Sequence, residues 1–155
     1  MNRKNPAKII LLSLALFLAS ACASNSAAQS SAQSGPSLYK RLGGYDAIAA
    51  VSDDFIARLA ADKQLSRFLV GMSADSQKRL RQHVVDQLCQ ATGGPCIYTG
   101  RPMKTAHAGL GITESDWQLT VKHLVASLDK FKVPEKEKQE FLALASSLKP
   151  DIVEK

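Results

Sequence analysis

Aromatic residues are scarce in this chain, and long apolar runs are scarcer. Phe, Trp and Tyr make up only 6% of 155 residues, although hydrophobic residues reach 45%. A core with so few rings must be built from aliphatic side chains, and this length suits one globular domain with no second core to build. The one sustained apolar run, Ile9 to Leu18, falls well short of the roughly 20 residues that a membrane-spanning helix needs. No segment alternates apolar and polar residues convincingly in the manner of a strand, and no unit repeats. No lysine–arginine block or interleaved aromatic stripe survives beyond the first residues, so nucleic acid has little support as a partner. Cysteines number only three: Cys22, Cys89 and Cys96.

What is present begins with a leader. Arg3, Lys4 and Lys8 precede the apolar run and the small residues of "ASACAS" follow it, the layout of a secretory signal peptide over residues 1–21. A retained membrane anchor is the alternative. Removing those three basic residues, with no acid beside them, takes the formal charge from +6 to +3. Ala19-Ser20-Ala21 before Cys22 resembles a bacterial lipobox, with the Cys22 thiol as lipid acceptor. Ala19 stands where that pattern prefers Leu, Val or Ile, so an ordinary A-x-A cut after Ala21 or Ala23 competes. Ala23 as the second mature residue resembles the outer-membrane sorting pattern. The expectation is export to a bacterial cell envelope as a periplasm-facing lipoprotein that touches the membrane only through its lipid anchor. A soluble periplasmic or secreted form is the other reading. Residues 22–37 are small, polar and low in complexity, a flexible tether, and residues 38–155 form the folded domain.

Export places Cys89 and Cys96 in an oxidising compartment where they are able to pair. They flank "QATGGP", a helix end and a turn that let the chain double back. Two independent buried thiols remain the competing reading.

From Leu38 onward the pattern is helical, and the fold class is all-α. "SLYKRLGG" is a short helix ended by Gly43-Gly44. Ile48, Val51, Phe55 and Leu59 form one side of the next helix. "KQLSRFLVG" is a turn. The following helix is capped at Ser73, Asp75 or Ser76, repeats Leu80, Val84, Leu88 and Ala91 on one face, and stops at Gly93-Gly94-Pro95. Pro102 suits the first turn of a short helix carrying His107. "TESD" is a capping-box variant with Asp116 in place of Glu, opening a helix with Trp117, Val121, Leu124, Val125 and Leu128 inward. Pro134 opens the last helix, with Phe141, Leu144, Ala145 and Leu148 as its buried stripe. Four substantial helices and two short ones result.

"MKTAHAGLGI", Met103 to Ile112, asks why so short a helix carries an imidazole at its end. A core histidine bonded to backbone is the plain answer. However, "LYKRLGG", "LAADKQLSRFL" and "GGPCIYTGRPMKTAHAGLGIT" together resemble the group I truncated haemoglobins over nearly the whole domain. The last segment is the most specific: a glycine pair, Tyr-Thr-Gly, then Met-x-x-x-His-x-Gly. The resemblance implies a 2-on-2 helical sandwich around one haem b per chain, with His107 as the axial iron ligand. An imidazole offering one nitrogen to iron, and donating from the other to a carbonyl, suits that role. Met103 and Leu110 are expected on the haem face, Phe55 and Phe68 against the haem, and Lys78, Arg79, Tyr98 and Lys104 near its propionates.

The distal side departs from the family pattern. Ile56 stands where group I members usually place an oxygen-binding tyrosine, and Val84 where a glutamine is frequent. Neither donates a hydrogen bond. A hydrogen bond to a charged group contributes roughly 1.5–3 kcal/mol, so its loss speeds oxygen release by about one to two powers of ten. The register of Leu80, a further pocket residue, depends on where the longer "GMSADSQ" loop is placed. His83, beside Val84, occupies a position that some members use for a sixth iron ligand; a rim histidine is the alternative. His123 reads as surface.

The resemblance therefore implies a haem protein binding oxygen, nitric oxide or carbon monoxide, a carrier more than an enzyme, with an unidentified electron donor. The alternative is a six-coordinate redox, electron-transfer or peroxide-reactive protein with His107 and His83 both on iron. Nitric oxide detoxification is weakened by the apolar distal positions.

Overall fold

The computed structural model describes residues 35–155. The expected signal peptide, Cys22 and most of the expected tether lie outside the described residues. Among the described residues seven α-helices are present: α1 (Leu38–Arg41), α2 (Gly44–Ala61), α3 (Ala74–Ala91), α4 (Met103–His107), α5 (Glu114–Lys130), α6 (Glu135–Ser147) and α7 (Lys149–Ile152). A 3₁₀ turn, Ser66–Phe68, occupies the expected turn between α2 and α3. No strand occurs among the described residues. The short α7 is a helix that the apolar pattern did not reveal.

Caps set several of the helix ends. The Ser73 hydroxyl accepts from the Ser76 amide and starts α3. Thr113 and Asp116 close a reciprocal capping box at α5, as the TESD motif suggests. Pro134 stands at the N-cap of α6, where its missing N–H leaves nothing unsatisfied.

Helix α2 packs against both α3 and α5, and α6 packs on α5 and α1. The two pairs α2/α3 and α5/α6 form the 2-on-2 arrangement, and α2 feeds both halves of the core. Val51 joins Leu38, Leu124, Leu128 and Phe141 in one buried cluster. Ile48 and Ala49 join Val85 and Cys89 in the other. Leu128 is 1% exposed, so trimming it to alanine would cost about 2–5 kcal/mol.

The buried stripe of α3 differs from the periodicity. Its fully buried members are Val85 and Cys89; Leu80, Val84 and Leu88 are half-buried and Ala91 is exposed. The helix has two apolar sides, one meeting α2 and one carrying Leu80 and Val84, and a single-stripe reading merges them. In α6, Phe141 is buried but Leu144 is 37% exposed, because Phe141 and Ala145 already fill the contact with the core.

Ser52, Ser127 and Asp54 are each held by partners. Ser52 donates to the Ile48 carbonyl at 2.8 Å. Ser127 donates to Asp54 Oδ2 at 2.8 Å, joining α5 to α2. Lys130, Arg58 and Ser127 all donate to Asp54, and the Lys130 bond foremost holds its carboxyl well below the usual carboxylate range. His123 is half-buried, a correction to its surface reading. Its Nε2 lies 2.9 Å from Asp62 Oδ2 at the end of α2. Asp62 is held low by that contact and by the Leu65 and Gln64 amides.

Candidate functional site

Helix α4 has five residues, too few to be stable alone in water. Pro102 stands immediately before it as N-cap and accepts from the Ala106 amide through its carbonyl. His107 closes the helix. Its Nδ1 donates to the Met103 carbonyl one turn back, at 2.8 Å. That bond fixes the tautomer: Nδ1 carries the proton and Nε2 keeps a free lone pair.

The chain then turns sharply. Ala108 has φ −57° and ψ 129°, Gly109 has φ +80°, and the Leu110 amide donates to the His107 carbonyl at 3.2 Å. These are the marks of a type II turn, which requires a positive φ at its third residue and so favours glycine. Gly111 also takes a positive φ, +64°. Leu110 is 44% exposed at this corner. Met103 is half-buried.

A cavity of about 210 Å³ opens between α2, the 3₁₀ region and the start of α3. Ile56, Ala60, Leu69, Met72 and Leu80 are among its lining residues, with Ser66 and Gln77 the polar ones. Ile56 and Leu80 therefore share one predominantly apolar wall. Phe55 does not line that cavity. It packs on the Leu38–Phe141 cluster because it follows Val51 by one helical turn, while Ile56 is turned toward the opening. Phe68 is half-buried, with the Arg67 guanidinium 4.4 Å from its ring centroid.

His83 and Val84 are half-buried on α3. The His83 Nδ1 is sealed from solvent and has no hydrogen-bond partner. Its ring meets Tyr98 edge-on, with centroids 5.8 Å apart. Tyr98 is itself held twice, its amide donating to Gln90 at 2.7 Å and its hydroxyl to the Arg101 carbonyl at 2.8 Å. Burial pushes the Tyr98 phenol above its ordinary pKa. Lys78, Arg79 and Lys104 are exposed; Lys78 reaches Asp75 at only 4.0 Å, and Arg79 donates to Ser76.

Cys89 and Cys96 are joined in a disulfide, with Cα atoms 5.7 Å apart. It ties the end of α3 to the loop leading through Tyr98 to α4. The approach is close: a Cβ on Gly94 would lie 2.5 Å from the Tyr39 ring and 2.7 Å from Cys89 Sγ.

The sequence pattern missed two groups. Asp116 was legible as a cap, but not as a fully buried hub accepting from Gln64 and Arg67, each at 2.7 Å, besides Thr113. Glu154 carried no signal at all, yet its carboxylate accepts from the Gly109 amide at 2.5 Å and the Gly111 amide at 2.8 Å.

The residues fit a haem. His107 is an imidazole with one nitrogen anchored to backbone and the other free, the donor type that haem iron takes. The orphaned His83 Nδ1 is a second observation of the same kind, since a buried polar atom without a partner costs about 1–3 kcal/mol.

Comparison with known proteins agrees. The family model for bacterial-like globins matches residues 37–154. The group 1 truncated haemoglobin GlbN of Mycolicibacterium paratuberculosis is 39% identical over 116 residues, covering 75% of this chain and 83% of that protein. The 2/2 haemoglobin of Synechococcus sp. PCC 7002, solved in the cyanomet state with covalently attached haem, superposes with a TM-score of 0.69. It is 27% identical and covers 76% of this chain and 98% of its own. The truncated haemoglobin of Tetrahymena pyriformis in its Fe(III) form gives a TM-score of 0.71 at 24% identity, covering 77% of this chain and 100% of that one, a likeness of fold.

Proposed function

This chain belongs to the bacterial-like globin family, with the group 1 truncated haemoglobins, and from that premise we propose that His107 Nε2 is the axial ligand to its haem iron. The protein is a haem-binding globin that binds diatomic ligands, with one haem per chain. The bound haem supplies an iron centre at which a gas molecule is able to coordinate. The observation that carries the assignment of His107 is its 2.8 Å bond to the Met103 carbonyl. That bond orients the ring, holds the proton on Nδ1 and raises the basicity of Nε2.

The distal residues act by what they withhold. Ile56 and Leu80 line the cavity with aliphatic carbon, and Val84, half-buried one turn beyond Leu80 and outside that lining, also lacks a donor. These three side chains offer no hydrogen bond to a polarised ligand, and the cavity's polar groups are Ser66 and Gln77. Without a donor at position 56 or 84, oxygen is bound weakly and released quickly. Met103, Phe68 and Leu110 supply apolar contact at the haem, and Lys78, Arg79, Lys104 and Tyr98 stand to meet its propionates.

A second reading is favoured by the unpartnered Nδ1 of His83. With His83 and His107 both on iron, the protein is a six-coordinate redox centre served by an electron donor. The spectrum of the purified domain, ferric and then dithionite-reduced, separates the two readings when repeated with His83→Ala and His107→Ala. Sharp, split visible bands in the reduced protein, lost on His83→Ala, establish the six-coordinate form. A five-coordinate reduced spectrum that His83→Ala leaves unchanged establishes the open pocket. An unaltered spectrum in His107→Ala overturns the axial assignment.

The cellular address rests on residues 1–34 alone. The charged start, the Ile9–Leu18 run and the Ala19-Ser20-Ala21-Cys22 junction support an exported, envelope-facing lipoprotein acylated at Cys22. Mass spectrometry of the mature N-terminus decides between acylated Cys22 and a plain A-x-A cut.

A further inference from the structure

We propose that Glu154 is a positioning residue for His107, clamping the turn that carries the imidazole through the backbone amides of Gly109 and Gly111. The inference rests on the axial assignment of His107 and adds to it a residue 47 positions away in sequence.

The five residues of α4 are unable to hold an imidazole in place by themselves. The Met103 bond fixes the ring against its own helix, but it does not fix that helix in the molecule. The type II turn after His107 exposes amides instead. Gly109 and Gly111, both at positive φ, aim their N–H groups into one concavity, the backbone geometry that favours an anion. The Glu154 carboxylate fills it, one oxygen on each amide, at 2.5 and 2.8 Å. Both are charge-assisted bonds, stronger than neutral ones.

The backbone on either side completes a strap. The Glu154 amide donates to the Ile112 carbonyl at 2.9 Å, and the Glu114 amide donates to the Lys155 carbonyl at 3.1 Å. Lys149, at the start of α7, pairs with Glu114 at 2.9 Å. Residues 149–155 are thus fastened to the first turn of α5 and to the loop behind His107. Helix α7 lies against α4 itself. Among the described residues, no other hydrogen bond from outside the turn reaches residues 108–111.

The test uses the haem-loaded protein and the variants Glu154→Gln and Glu154→Asp. Glu154→Gln keeps the shape and removes the charge. Its Gly109 and Gly111 amides should exchange hydrogen faster. Haem transfer to an excess of a scavenging apoprotein should quicken about three- to tenfold, the discounted effect of one exposed charge-assisted pair. The iron–histidine stretching band, read by resonance Raman after photolysis of the carbon monoxide complex, should shift, and Glu154→Asp should restore part of each change. An unchanged band and haem-transfer rate, even with faster amide exchange, overturns the positioning role. His107→Ala separates this failure from the deeper one: if that variant keeps the wild-type band, the axial assignment falls first.

Discussion

The two sides of the site are built by opposite means. At the cavity, α2 and α3 present side chains, and what Ile56 and Leu80 contribute is aliphatic volume. On the proximal side, a five-residue helix and a glycine turn are held by backbone hydrogen bonds and by one distant carboxylate. Long helices position their side chains through packing, so a pocket wall needs no polar fastening. A short helix lacks that support, so its orientation must come from hydrogen bonds to fixed neighbours. On the proposed assignment of His107, ligand discrimination belongs to the cavity wall and placement of the imidazole to the strap.

Three changes sharpen that contrast. The largest effect falls on the seam between the sides, where Asp116 binds Gln64 and Arg67 of the segment after α2 to the start of α5. Asp116→Ala leaves the buried Thr113 amide and the Gln64 side chain without their acceptor and should lower stability by about 2–4 kcal/mol in urea unfolding. Acid should do the same more gently. Burial pushes the Asp116 carboxyl up, but Gln64, the Thr113 amide and hydroxyl, and Arg67 together bring it to about 2, below the ordinary 3.8. A carboxyl lowered by folding stabilises the protein above its unfolded pKa, and that contribution fades as pH falls from about 4 toward 2, roughly 2 kcal/mol in all. Unfolding curves of wild type and Asp116→Asn should converge across that window. A constant gap down to pH 2 would show that the carboxylate contributes little.

Next comes the distal wall itself. Ile56→Tyr introduces a phenol hydroxyl where α2 offers only aliphatic carbon, and should slow oxygen dissociation about 10- to 100-fold in stopped-flow measurements, in line with roughly 1.5–3 kcal/mol for a hydrogen bond to a charged group. The proximal iron–histidine band should not move. A shift there would mean that the two sides are coupled through more than their seam.

The smallest change concerns the covalent tie. The Cys89–Cys96 disulfide joins the end of the distal helix to the loop entering the proximal one. Replacing both cysteines by serine should cost about 2 kcal/mol, the value for closing so short a loop. Calorimetry with and without reductant checks it; an equal midpoint in both would mean that packing alone sets the corner.

Much of this was readable in the chain, and for definite reasons. The four long helices repeat apolar residues every three or four positions, and Gly93-Gly94-Pro95 and Thr113-Glu114-Ser115-Asp116 mark their ends. His107 stood out through its place between Met103 and two glycines. Leu80 was legible as a pocket residue, but Val85 and Cys89, the residues α3 buries against α2, were not, because periodicity records that a helix has an apolar side, not that it has two. His123 passed for surface because its partner, Asp62, lies 61 positions earlier.

The sequence by itself therefore determined the helices, their caps, the family, and an imidazole one helical turn beyond a usable carbonyl. All of these are encoded over a few residues, within reach of local propensity and hydrogen bonding. Only the tertiary structure decided which apolar face meets the cavity, that Asp116 is a buried hub, and that Glu154 closes on Gly109 and Gly111. Each of those depends on segments far apart in the chain, whose meeting is set by the packing of the whole domain and leaves no periodic trace.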